Sequence, residues 1–198
     1  MSIVIGLTGP TGSGKSSAAS ICEKYGIKLV DCDKVARKST EKGSGALKEL
    51  AKVFGADILN GDGSLNRKAL AAKAFSTKEN TELLNKTIFP FIKELVLSEI
   101  DCDKVLLDAP TLFESGINSI CFKTVAVLAD EGVRLKRIIK RDNLTEAEAK
   151  LRMSAGKSDK FYKENADYII YNNSDEQTFL KNFENVLTEI FGYGDSYE

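Results

Sequence analysis

The sequence contains no histidine, and its four cysteines are widely separated along the chain. A zinc site built from cysteine and histidine is therefore not expected. We interpret the cysteines as buried or half-buried free thiols; they are Cys22, Cys32, Cys102 and Cys121. The absence of histidine also bears on mechanism, because any general base must then be a carboxylate or another group.

An excess of charge of either sign is also missing. The chain has 28 Lys and Arg residues against 29 Asp and Glu residues, a net charge of −1, so nothing attracts it in bulk to nucleic acid or to a membrane surface. No apolar stretch approaches the roughly 20 residues of a membrane span, and the first residues do not resemble a secretory signal. We expect one cytoplasmic domain with small-molecule partners and neither nucleic acid nor membrane as a partner. We expect a monomer, with an oligomer left open.

What is present is the run GPTGSGKS from Gly9 to Ser16, which fits the phosphate-binding pattern G-x-x-x-x-G-K-[ST]. Glycines let backbone N–H groups turn around a phosphate, a lysine adds positive charge, and the final hydroxyl can hold Mg²⁺. An apolar segment precedes the run and a helix-like segment follows it, whereas the alternative is a flexible Gly/Ser loop. The pattern predicts a site for a nucleoside triphosphate, formed by Gly12, Ser13, Gly14, Lys15, Ser16 and Ser17.

Short apolar runs recur along the chain and are typical of buried strands in a parallel sheet. Helical spacing follows each of them, so we predict an α/β fold with a five-stranded parallel sheet flanked by helices. The predicted core covers about 1–33 and 104–198, and a helical substrate-binding insertion covers about 34–101. The runs are Ile3–Thr8, Ile27–Asp31, Val105–Asp108, Thr124–Leu128 and Tyr168–Tyr171.

Carboxylates follow two of these predicted strands. Asp31 and Asp33 come directly after the second one, where a phosphoryl acceptor would meet ATP, and we favour Asp33 as the base, with Asp31 second. The alternative for either residue is a helix N-cap. Asp108 ends a later strand, so we predict that it joins Ser16 around Mg²⁺, through water, although a simple turn residue is the other interpretation.

A helix rich in cations ends at Arg141, and Thr145 and Glu148 then have capping-box spacing for a new helix. The two helices predict a lid over about 137–158 that brings Arg141 onto the phosphates. Arginine suits this role because its charge is permanent and its donors form a rigid fork. Arg152 is a weaker candidate. We expect Arg134 and Lys136 to lie on a solvated face of the first helix.

Several segments together resemble the dephospho-CoA kinase family of P-loop kinases, over nearly the whole chain. The first is Gly6-Leu7-Thr8-Gly9 followed by the phosphate loop, and the second is Asp31-Cys32-Asp33 with Ala36-Arg37. More specific is the run Phe54-Gly55, Ile58-Leu59, Asp62-Gly63 and Leu65-Asn66-Arg67. The remaining matches are Leu112-Phe113-Glu114, Arg137, Arg141-Asp142 and Ala166-Asp167-Tyr168 leading to Asn173.

The resemblance implies ATP-dependent phosphorylation of the ribose 3′-hydroxyl of dephospho-CoA, the final step of coenzyme A biosynthesis, with ATP and Mg²⁺. It implies that Asp33 is the base, that Lys15 and Arg141 act on the phosphates of ATP, and that Asn173 lies beside the adenine. The acceptor pocket would be formed by Asp31, Arg37, Arg67, Leu112 and Glu114.

The chain departs from the family at Phe89, where a histidine is usual, at Gly156, where a glutamine is usual, and at Thr111. None of these changes touches the phosphate loop or Asp33. Two alternatives stay open: a nucleoside or nucleoside-monophosphate kinase, and a catalytically impaired nucleotide-binding protein.

Overall fold

The computed structural model describes residues 2–192, and among them five strands form one parallel sheet. The sheet order is β2-β3-β1-β4-β5. This arrangement confirms the predicted fold class. The strands are β1 (Ile3–Thr8), β2 (Lys28–Asp31), β3 (Lys104–Asp108), β4 (Lys123–Leu128) and β5 (Tyr168–Tyr171).

The central strand β1 pairs with β3 and with β4, and it is buried along nearly its whole length. Its Leu7 lies opposite Asp108 of β3, and its Thr8 lies opposite Ala126 of β4. Because the strands are parallel, the carboxyl ends of all three lie at one edge of the sheet, where ligands of open α/β sheets bind. The chain leaves β1 at this edge and enters the glycine-rich run.

The helices alternate with the strands and also fill the long interval between β2 and β3. Short 3-10 segments cover Lys15–Ala18, Ala56–Ile58 and Ile117–Ile120. The longer helices of residues 2–192 are α1 (Ala19–Lys24), α2 (Cys32–Ser39), α3 (Gly45–Phe54), α4 (Arg67–Ala74), α5 (Lys78–Ser98), α6 (Glu131–Asp142), α7 (Glu146–Ser154), α8 (Asp159–Asn165) and α9 (Glu176–Phe191).

The described chain divides into two compact units. Residues 2–29 and 102–192 form the first, which we call the sheet unit, and Val30–Asp101 forms the second, which we call the helical unit. The core of the sheet unit includes an apolar stripe of α9. The buried members of that stripe are Phe179, Phe183, Leu187 and Ile190, which cluster with Ile5 and Leu7 of β1. The stripe is scaffold, as its spacing predicts.

The helical unit has its own core, in which residues of α3 and α4 pack together with Ile58. Its elements begin at well-formed caps: Ser44 accepts a hydrogen bond from Leu47 N–H, and Asn66 accepts one from Ala69 N–H. The turn after Leu59 closes through a hydrogen bond from Asn60 N–H to the Ser64 carbonyl.

One prediction about the cysteines is wrong. Cys22 and Cys32 are buried and Cys121 is half-buried, but Cys102 is exposed, because it lies in the irregular segment just before β3 rather than on a strand or helix. No helix within residues 2–192 is long and apolar enough to cross a membrane.

Candidate active site

The phosphate-binding run forms a loop between β1 and the 3-10 segment Lys15–Ala18. Gly12 and Gly14 adopt φ angles of 80° and 91°, which residues with a Cβ rarely adopt. Space also requires glycine, because a Cβ on Gly14 would lie 2.3 Å from the side-chain nitrogen of Asn172. Both glycines are therefore needed for the backbone path of the loop and for the close approach of its neighbours.

Lys15 lies over the loop rather than pointing away from it, since its Nζ donates to the Gly9 carbonyl at 2.7 Å. The hydroxyl of Ser13 is buried and has no hydrogen-bond partner within residues 2–192. An ammonium group and a buried hydroxyl on one short loop suit a site for phosphate oxygens.

Two arginines of α6 and one asparagine contact the carbonyls of this loop from outside. Arg134 Nε donates to the Thr11 carbonyl at 3.0 Å. Arg137 Nη1 and Asn172 Nδ2 both donate to the Ser13 carbonyl, at 3.2 and 2.9 Å. Arg137 Nη2 also donates to Asn172 Oδ1 at 3.1 Å, which closes a three-residue network. The loop is thus held by side chains from α6 and from the end of β5.

The expectation that Arg134 lies on a solvated face is wrong, because its side chain is buried among the loop and α8. Arg134 is 7% exposed, and its Nη1 forms an ion pair with Asp159 at 3.4 Å. Lys136 is exposed, as expected. The signal that could have distinguished them is helical spacing, since Arg134 and the buried Ile138 are four residues apart and share a face of α6.

Asn172 is a functional candidate that the sequence did not reveal, because the family resemblance pointed to its neighbour Asn173. Asn172 is 4% exposed and contacts the loop. The predicted adenine contact, Asn173, is exposed, and its Oδ1 accepts from Asp130 N–H at 2.7 Å. Nothing in the sequence around β5 separates the two asparagines, because both follow the last strand residue.

Arg141 lies at the end of α6, where Asn143 adopts a left-handed conformation that turns the chain into α7. Its Nε and Nη2 both donate to Asp142, each at 2.8 Å. Arg152 Nη1 donates to the same carboxylate at 2.8 Å. The hydrogen bond from Arg141 holds the pKa of Asp142 below its usual range and raises the pKa of Arg141. The predicted capping box of Thr145 and Glu148 is confirmed at the start of α7.

Asp108 and Ser16 are the predicted magnesium residues, and both belong to the sheet unit. Asp108 ends β3 beside Leu7 of β1, and Ser16 lies one residue after Lys15 with its side chain exposed. No cluster of three or more metal-binding side chains occurs within residues 2–192. Mg²⁺ held with phosphates usually needs only one or two protein ligands and keeps several waters. These residues therefore fit a nucleotide-bound Mg²⁺ but not a cage formed by protein alone.

The start of α2 in the helical unit places the two predicted aspartates differently. Asp31 is the N-cap, since its Oδ1 accepts from Lys34 N–H at 3.0 Å. Asp33 lies in the first turn of α2 and its side chain is exposed. The expected alternative of a helix cap is thus confirmed for Asp31, and Asp33 remains the better candidate for a reacting group.

The helical unit also contains a cavity of about 220 Å³ with arginines and apolar side chains in its lining. Arg37 and Arg67 both line it, and Arg67 Nη2 donates to Thr40 Oγ1 at 3.5 Å. The apolar lining includes Leu65, Leu70, Leu84 and Ile88. The structure thus brings together two predicted acceptor residues that are far apart in the sequence.

Two further predicted acceptor residues, Leu112 and Glu114, belong to the sheet unit. Leu112 is fully buried, and a Cβ on Gly6 would lie 2.7 Å from its side chain. It therefore offers no surface to a ligand in this conformation, and its visible role is to pack on β1. Glu114 is exposed.

Of the departures from the family, Phe89 is half-buried in α5 directly before Pro90, and Gly156 is exposed after α7. A Cβ on Gly156 would meet the Met153 carbonyl at an ordinary contact distance of 3.5 Å.

Comparison with known proteins agrees with these features. The family model described as dephospho-CoA kinase matches residues 3–178. A dephospho-CoA kinase from Fusobacterium nucleatum is 40% identical over 92% of this chain and 95% of its own length. A solved dephospho-CoA kinase from Campylobacter jejuni is 25% identical, with a TM-score of 0.69 over 96% of this chain and 98% of that one. A solved protein from Thermus thermophilus is 29% identical, with a TM-score of 0.78 over 95% of this chain and 97% of that one. The chain belongs to the dephospho-CoA kinase family.

Proposed function

We propose that this protein transfers the γ-phosphoryl group of ATP to the ribose 3′-hydroxyl of dephospho-CoA, which yields coenzyme A. The observation that carries the proposal is the complete phosphate loop, with its glycine conformations and its lysine, in a chain of this family. The family membership supports the choice of acceptor, and the loop supports the choice of donor.

On the donor side, the backbone of residues 12–17 binds the phosphates of ATP. Lys15 would move from the Gly9 carbonyl to the phosphates, where its charge stabilises the transferring group. Ser16 and Asp108 would hold Mg²⁺, which supplies neutralisation of the phosphate charge when it is bound. Asn173 contacts the adenine in this proposal.

On the acceptor side, Asp33 accepts the proton of the attacking hydroxyl. The sequence has no histidine that could take this role, and Asp31 is occupied as the cap of α2. Arg37 and Arg67 supply positive charge in the cavity of the helical unit, next to apolar side chains. Dephospho-CoA combines anionic phosphates with a long, less polar arm, so a cavity of mixed character suits it. Glu114 completes the proposed acceptor contacts, while the burial of Leu112 argues against a direct contact.

Arg141 is the proposed lid residue that stabilises charge on the phosphates during transfer. To reach them it must leave Asp142, to which it donates two hydrogen bonds. The proposal therefore includes a rearrangement at the end of α6 when ATP binds, as is common for lids in kinases.

The proposal is tested by a coupled ADP-release assay with ATP and Mg²⁺, in which dephospho-CoA, AMP, adenosine and no acceptor are compared. Turnover confined to dephospho-CoA supports it. Turnover with AMP or adenosine would reassign the acceptor, and no turnover with any acceptor, together with retained ATP binding, would make the chain a binding protein. Replacing Mg²⁺ with EDTA should abolish turnover if the metal is required.

The cytoplasmic location and the monomeric state expected from the sequence belong to the same proposal. Cell fractionation and light scattering after gel filtration test them directly. Recovery in the membrane fraction, or a mass well above the 21.7 kDa of the chain, would contradict them.

A further inference from the structure

The arginine side chains that hold the phosphate loop contact its backbone carbonyls at a regular spacing. Arg134 and Arg137, one helical turn apart on α6, donate to the carbonyls of Thr11 and Ser13. These carbonyls belong to alternate peptide units, since the Ser13 unit follows the Thr11 unit with one unit between them. The residues that complete the two held units are Gly12 and Gly14, both with positive φ.

A held carbonyl fixes the direction of the N–H group in the same peptide unit. The unit is planar, and in the trans form its C=O and N–H point in opposite directions. The Thr11 carbonyl points toward α6, so the N–H of Gly12 points away from α6. The same holds for the Ser13 carbonyl and the N–H of Gly14. In loops of this sequence pattern, backbone N–H groups are the donors that cradle the phosphates.

We propose that Arg134, Arg137 and Asn172 are positioning residues that orient the phosphate-binding N–H groups of Gly12 and Gly14 through the opposite carbonyls. The proposal rests on the proposed function, because it assumes that the loop binds phosphates. Asn172 gives the clearest case. It carries no charge and is 4% exposed, so it acts on a phosphate through the Ser13 carbonyl rather than by attraction.

The charge of Arg134 is partly offset within the protein, which supports the same role. Its Nη1 is paired with Asp159, and its Nε is engaged with the Thr11 carbonyl. Arg137 has both terminal nitrogens engaged, one with Ser13 and one with Asn172. A lysine in place of Arg137 would keep the charge but could not reproduce the planar fork that bridges two acceptors.

The test measures binding of inorganic tripolyphosphate with Mg²⁺ by calorimetry, because this probe contacts the loop without an adenine. We expect Asn172→Leu, Arg137→Met and Arg137→Lys each to weaken binding about 10- to 100-fold, the range for loss of one or two hydrogen bonds to a charged group. Arg134→Met should weaken binding similarly. The matched control is Lys136→Met, which removes a cation from the exposed face of the same helix and should leave binding nearly unchanged.

A double-mutant cycle between Arg137→Met and Asn172→Leu separates positioning from attraction. Both residues act on one carbonyl, so the double variant should bind only slightly more weakly than either single variant. Additive effects, or full rescue by Arg137→Lys, would show that Arg137 acts by its charge and would overturn the proposal. Thermal unfolding of each variant shows whether the fold survives; equal tripolyphosphate binding by folded Asn172→Leu and the parent protein would also overturn it. If the parent protein itself does not bind tripolyphosphate or ATP, it is the proposed function that fails.

Discussion

The arginine at the phosphate loop and the arginine at the end of α6 differ in the contacts that they make. At the loop, Arg137 is engaged with the Ser13 carbonyl and with Asn172. One turn further along the same helix, Arg141 is exposed and forks onto the adjacent Asp142. One helix thus carries an arginine that holds the phosphate loop and another whose ion pair is exposed and can rearrange.

The start of α2 shows the same division between two like charges. Asp31 caps the helix, while Asp33, two residues later, has an exposed side chain. In both places the residue that contacts the backbone shapes the loop or the helix, and the residue with the exposed side chain is the one we assign to chemistry.

Replacement of Asp33 by asparagine should lower kcat about 10²- to 10⁴-fold, because the base that accepts the hydroxyl proton is lost. ATP binding should be unchanged, since the change leaves the phosphate loop intact. Steady-state kinetics with dephospho-CoA and calorimetry with ATP measure the two effects. Asp31→Asn is the matched control: asparagine is also a good N-cap, so kcat should fall much less. Equal losses of kcat in the two variants would mean that the different roles assigned to Asp31 and Asp33 are wrong.

Replacement of Arg141 by methionine should lower kcat about 10²- to 10³-fold, the range for removal of one donor that stabilises developing charge. The affinity for ATP should fall less than kcat, because the interaction is strongest during transfer. Lys140→Met, which removes the neighbouring exposed cation, serves as the control. A loss confined to KM would place Arg141 in simple nucleotide binding.

Replacement of Asp142 by asparagine should strengthen nucleotide binding slightly, whereas the Arg141 variant weakens it. The variant removes the carboxylate that competes with the phosphates for Arg141, and ion pairs at a protein surface contribute little to stability. We therefore expect ATP affinity to rise about 1.5- to 5-fold. Glu146→Gln, which breaks the exposed pair with Lys150 on α7, should not change it. Weaker ATP binding by the Asp142 variant would show that the pair organises the site instead.

The sequence predicted the fold and the loop well because both depend on local patterns. Each of the five strands contains a short apolar run, the stripe of α9 has helical spacing, and the capping box of Thr145 is a four-residue signal. The supports of the loop depend on contacts across the chain: Arg134 is 123 residues from Thr11, and Asn172 is 159 residues from Ser13. Helical spacing places Arg134 on the same face of α6 as the buried Ile138, but no local pattern shows that it contacts the Thr11 carbonyl. Nothing near β5 separates Asn172 from Asn173.

The smallest effect at neutral pH is expected from replacement of Tyr162 of α8, whose side chain is buried. Burial raises its pKa from 10.0 to about 12, and the nearby charge of Glu114 acts in the same direction, whereas Arg134 opposes it. The folded protein thus holds this proton more tightly than the unfolded chain does. The stabilisation is fully present below pH 10 and is lost as the pH rises toward 12. Tyr162→Phe removes this dependence, so urea unfolding between pH 8 and 11 should show a shallower decline than in the parent. Parallel declines would mean that the phenol is not held neutral by burial, and that the packing of Tyr162 against Ala126 and Leu128 is looser than the structure shows.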